Sequence, residues 1–65
     1  MRHPETELEM VRRHVARGIV LVERQRRTLI GLQANGHETQ AAEELLARLE
    51  ETQRLHEAHL GRLGS

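Results

Sequence analysis

Sixty-five residues permit a single domain, and the composition is narrow: ten Glu, ten Arg, five His and 37% apolar residues, with no Lys, Asp, Cys, Phe, Tyr or Trp. Without a thiol, disulfide frameworks, thiolate zinc sites, redox motifs and cysteine nucleophiles are all excluded. The formal charge of zero removes any overall pull toward nucleic acid or an anionic membrane, so such binding would need local asymmetry.

The sequence begins Met1-Arg2-His3-Pro4-Glu5-Thr6-Glu7, without the apolar stretch of a signal peptide. Its longest uninterrupted apolar run is Ile19-Val20-Leu21-Val22, against the ~20 residues needed to span a bilayer. The expectation is a soluble, cytoplasmic protein with no membrane partner.

The first predicted element is a helix over about 5–34. Thr6 and Glu9 have the spacing of a capping box, with Pro4 as a competing start, and Glu5, Glu7 and Glu9 suit the positive end of the helix dipole. Asn35-Gly36 interrupts a stretch otherwise rich in helix formers, which places a turn at 35–38. Gly36 can take the left-handed conformation that closes the first helix, and Thr39 is the best cap for a second helix over about 39–62.

Leu8, Val11, Val15, Gly18, Val22, Gln25, Leu29 and Leu32 are spaced 3, 4, 3, 4, 3, 4 and 3, an unbroken heptad seam. Ala42, Leu46, Leu49, Gln53, His56, Leu60 and Leu63 continue it at 4, 3, 4, 3, 4 and 3. One short turn forces the helices antiparallel, so the fold class is all-α, an antiparallel two-helix hairpin forming one domain over 1–65. Folding back at the turn is expected to set Leu32 against Ala42, Leu29 against Leu46, Val22 against Gln53 and Gly18 against His56.

One seam buries too little to offset the entropy of ordering such a chain, roughly 1.5 kcal/mol per residue. A second apolar surface is therefore expected. One flank is mostly polar, with Glu43, Glu50 and Glu57 facing Arg12, Ile19, Arg26 and Gln33. The other carries Met10, His14, Leu21 and Thr28 on helix one and Ala41, Leu45, Thr52, Leu55 and His59 on helix two. Met10, Leu21, Leu45 and Leu55 are the predicted self-association residues, and two hairpins sharing that surface would dimerise into a four-helix bundle. The same flank could dock a helix of a larger protein.

His56 and His59 are three apart on one helical face, and the expected register sets His14 beside His59, which raises a metal site. The spacing is a weak signal: no Cys or Asp is available, and Gln53 stands where a di-iron bundle would carry a Glu before His56. Gln53 and His56 read instead as a polar core layer that fixes register. No cofactor is predicted.

Residues 1–34 hold seven Arg and four Glu, net +3, whereas residues 35–65 hold three Arg and six Glu, net −3. Arg13, Arg17, Arg24 and Arg27 form a stripe expected to face away from the seam, a candidate RNA contact because phosphate binding needs only spaced cations. The missing Lys and aromatic residues argue against it, and pairing of Glu23 with Arg27 would make the stripe an ordinary solvated face. Catalysis lacks a phosphate loop, a carboxylate pair in a cleft, and chain enough to enclose a substrate.

The turn Gly36-His37-Glu38-Thr39, then Leu45-Leu46 and Glu51-Thr52-Gln53-Arg54-Leu55-His56, resembles a group of short uncharacterised bacterial proteins that share a Gly-His-acid-Thr turn and a Glu-Thr-x-x-Leu-His segment. The resemblance covers about half the chain and implies a helical hairpin; it implies no activity and no site residues. Helix one departs from the group at the apolar stretch Gly18–Val22. Together these readings predict a small, non-catalytic, self-associating interaction or adaptor protein, a homodimer, with an RNA-binding regulator as the alternative.

Overall fold

The computed structural model describes residues 4–64. Two helices account for nearly all of them: α1, Glu7–Ala34, and α2, Gln40–Gly64. They pack against each other as an antiparallel hairpin measuring 50 × 27 × 14 Å.

Helix α1 starts two residues later than the sequence predicts because Thr6 is its cap. The Thr6 backbone is extended, and its hydroxyl accepts from the Glu9 amide at 3.1 Å. The same hydroxyl donates to Glu9 Oε1 at 3.0 Å, so the Glu9 carboxylate bonds the cap's side chain instead of reaching back to its backbone N–H. At the other end Gly36 has φ +70°, and the bonds of a Schellman closure are present: His37 N donates to the Leu32 carbonyl at 2.9 Å and Gly36 N to that of Gln33 at 3.2 Å. Asn35 adds a side-chain bond from Nδ2 to the Gly31 carbonyl at 2.8 Å.

Thr39 stands where the first carbonyl of α2 is needed, accepting from Glu43 N at 2.9 Å. The side chain that receives a free first-turn N–H is that of its neighbour Glu38, whose Oε1 accepts from Gln40 N at 2.8 Å. The helix runs on through Gly61 to Gly64, past the predicted end at 62, because Leu60 and Leu63 are half-buried and hold its last turns on the seam.

The predicted seam is the interface. Val11 is 1% exposed, Val22 8% and Gln53 8%, and every other seam residue is half-buried. The register differs from the expected one: Gly18 faces Gln53, not His56. Read backward, α2 carries its seam residues at gaps of 3, 4, 3, 4, 3 and 4 from Leu63, the same series that α1 carries forward from Leu8. Matching gap to gap pairs Leu8 with Leu63, Gly18 with Gln53 and Leu29 with Ala42, and it centres the turn on Asn35-Gly36. The expected pairing set each short gap against a long one and centred the turn near His37.

Candidate functional site

Gln53 is the pivot of the interface. Its Nε2 donates to the Val15 carbonyl at 2.9 Å, and nearer the turn Gln25 Nε2 donates in the same way to the Ala42 carbonyl at 3.0 Å. Each bond ties one helix to the backbone of the other and satisfies an amide donor, buried at Gln53 and half-buried at Gln25. The amide of Gln53 fits because residue 18 has no side chain: a Cβ built on Gly18 would stand 1.7 Å from Gln53 Oε1. That oxygen has no hydrogen-bond partner among the described residues and lies against Gly18.

The predicted layer of Gln53 and His56 thus divides. Gln53 is buried with Gly18 as its receptor, and His56 is half-buried with its ring 5.0 Å from that of His14, tilted by 55°. The sequence reading missed Gly18 as a receptor; the matching gap series of the two helices was the signal that could have found it.

A shallow groove lies on each side of Gln53. One, of about 270 Å³, is lined by Ile19, Val22, Glu23, Arg26, Glu50, Arg54 and Glu57. The other, of about 160 Å³, is lined by His14, Arg17, Gly18, Leu21, Leu49, Thr52 and His56. The first is crossed by the ion pair Arg26–Glu50 at 3.0 Å, as the expected facing of those flanks implies, and Arg54 pairs with Glu51. These are exposed pairs, each contributing at most about 1 kcal/mol.

Of the predicted association residues, Met10, Leu45 and Leu55 are exposed, Leu55 at 62%, while Leu21 is half-buried in the wall of the second groove. Exposed apolar side chains are not confined to that flank. Ile19 lies in the first groove, Val20 is on the outer surface, and Ile30 is 63% exposed.

Arg13, Arg17, Arg24 and Arg27 are all exposed. Arg13 is held by Glu5 at 3.2 Å, and Arg27 makes no ion pair with Glu23. The stripe does not face wholly away from the seam, since Arg17 lines the groove beside Gly18 and Leu21. A helix of 3.6 residues per turn carries residue 17 back toward the seam residue that follows it.

His14 does not meet His59. It stands beside His56, and His59 turns to Glu7, with Nε2 to Oε1 at 3.0 Å. Among the described residues no group of three or more His and Glu side chains is arranged to hold a metal ion, and no helix is long and apolar enough to cross a membrane. No family model, curated protein or solved structure matches the chain.

Proposed function

We propose that this chain is a small cytoplasmic interaction or adaptor protein without chemistry of its own, which works by associating with further copies of itself. The observation that carries this reading is the poverty of the hairpin's interior. Val11 and Val22 are the buried apolar residues of the described chain, while Met10, Ile19, Val20, Ile30, Leu45 and Leu55 are exposed. A hairpin of this size with so small a core gains most from covering its apolar flank. With the flank of Met10, Leu21, Leu45 and Leu55 covered by a second hairpin, four helices share one interior as a bundle.

Sedimentation equilibrium tests the proposal: the purified chain should be folded and have at least twice the monomer mass of 7.5 kDa. A compact, folded monomer contradicts it. An unfolded monomer also contradicts it, and assigns the flank to a helix of a different protein.

A second reading has its own observation. Arg17, Arg24 and Arg27 are exposed and in no ion pair among the described residues, so three cations of the stripe are free to meet phosphate. On that reading the chain binds structured RNA, and binding weakens steeply with salt. Arg13→Glu with Arg17→Glu should abolish it with helicity intact; unchanged binding rejects the stripe as a contact.

A further inference from the structure

The two flanks of the hairpin carry opposite charge. Residues seven apart share a helical face, so Arg24 lies with Arg17 on the side of the groove containing Leu21 and Thr52, and Arg48, one turn before Thr52, lies there too. With Arg62, seven beyond Leu55, that flank holds four Arg against one Glu, Glu7. The flank of Ile19 holds five Glu at positions 9, 23, 43, 50 and 57 against three Arg at positions 12, 26 and 54.

Existing ion pairs sharpen the contrast. On the acidic flank Arg26 is taken by Glu50 and Arg54 by Glu51, so Glu23, Glu43 and Glu57 have no cationic partner among the described residues. On the basic flank Arg17, Arg24 and Arg48 have no carboxylate partner among the described residues. Both flanks also expose apolar side chains, Leu45 and Leu55 on the basic one and Ile19 and Ile30 on the acidic one. Docking basic flank on basic flank would bury the apolar residues but set unpaired arginines against arginines. Docking basic on acidic buries the same kind of surface and sets the unpaired arginines against a flank with an excess of carboxylates.

We infer that copies of this chain associate through unlike flanks, the Arg-bearing flank of one hairpin covering the Glu-bearing flank of the next. The inference rests on the self-association proposed above and specifies its geometry, replacing the like-with-like dimer expected from apolar residues alone. Such a contact is heterologous. Each added hairpin leaves one flank of each sign open, so assembly continues to a closed ring or an extended strip instead of stopping at two.

The test uses two variants, both altered at exposed positions: Arg17→Glu with Arg48→Glu, which makes both flanks acidic, and Glu23→Arg with Glu57→Arg, which makes both basic. Wild-type chain should sediment beyond a dimer, and high salt should weaken its association. Each variant alone should associate more than about tenfold more weakly, because its flanks repel. An equimolar mixture should recover large assemblies, which also shows that both variants remain competent to fold. If the Glu23→Arg, Glu57→Arg variant dimerises as the wild type does, or if the wild type stops at a dimer, unlike-flank docking is overturned while self-association stands. A wild-type monomer removes self-association itself, and salt-sensitive RNA binding by that monomer assigns the basic flank to nucleic acid.

Discussion

Gly18 and Gln53 form one interaction, so a substitution at either has a sign that depends on the other. In an open helix interior Gly→Ala stabilises by about 1 kcal/mol, and Gly31, where an added Cβ would meet no atom within 4 Å, should follow that rule. At Gly18 the methyl group would displace the Gln53 amide, breaking its bond to the Val15 carbonyl and leaving buried polar atoms without partners, at a cost of about 1–3 kcal/mol. Gly18→Ala should therefore fail to stabilise the wild type and should destabilise it by up to about 2 kcal/mol. In a Gln53→Ala background the same change should stabilise by about 1 kcal/mol. Urea denaturation of the four chains measures this, and equal effects of Gly18→Ala in both backgrounds would show that the two residues are not coupled.

At the scale of the helices, the capping side chains and the turn carry separate, testable contributions. Thr6→Ala removes the acceptor of the Glu9 amide and should cost about 1 kcal/mol, with fraying confined to the first turn of α1. Gly36→Ala puts a Cβ at φ +70° and should cost about 1–2 kcal/mol, whereas it leaves the seam untouched. Hydrogen exchange separates the two, since only the turn variant should raise exchange at His37, whose amide is bonded to the Leu32 carbonyl.

The helices, the turn and the seam were legible because each rests on a local rule: a 3-and-4 spacing of Leu and Val, a threonine three before a glutamate, a glycine after asparagine. The kinds of apolar residue did not give the register, because Leu, Val and Ala are nearly interchangeable across a seam, and only the matching order of the gaps pointed to it. It is set where size and polarity are specific, at Gly18 with Gln53 and at Gln25 with the Ala42 carbonyl. The exposed Met10, Leu45 and Leu55 could be anticipated from their helical positions. The half-burial of Leu21 and the place of Arg17 in the groove wall required the actual crossing of the two helices.

The whole molecule is one layer of two helices, 14 Å across its thinnest dimension, and a layer cannot surround its own apolar residues. Its exposed apolar side chains and its basic and acidic flanks are the surfaces that the proposed self-association would cover. If folding and association are coupled in this way, stability depends on how much chain is present. The most direct measurement is the thermal midpoint of helix unfolding, followed over roughly a hundredfold range of chain concentration. The midpoint should rise steadily with concentration; a cooperative transition at one unchanging temperature across that range would show that the hairpin stands alone.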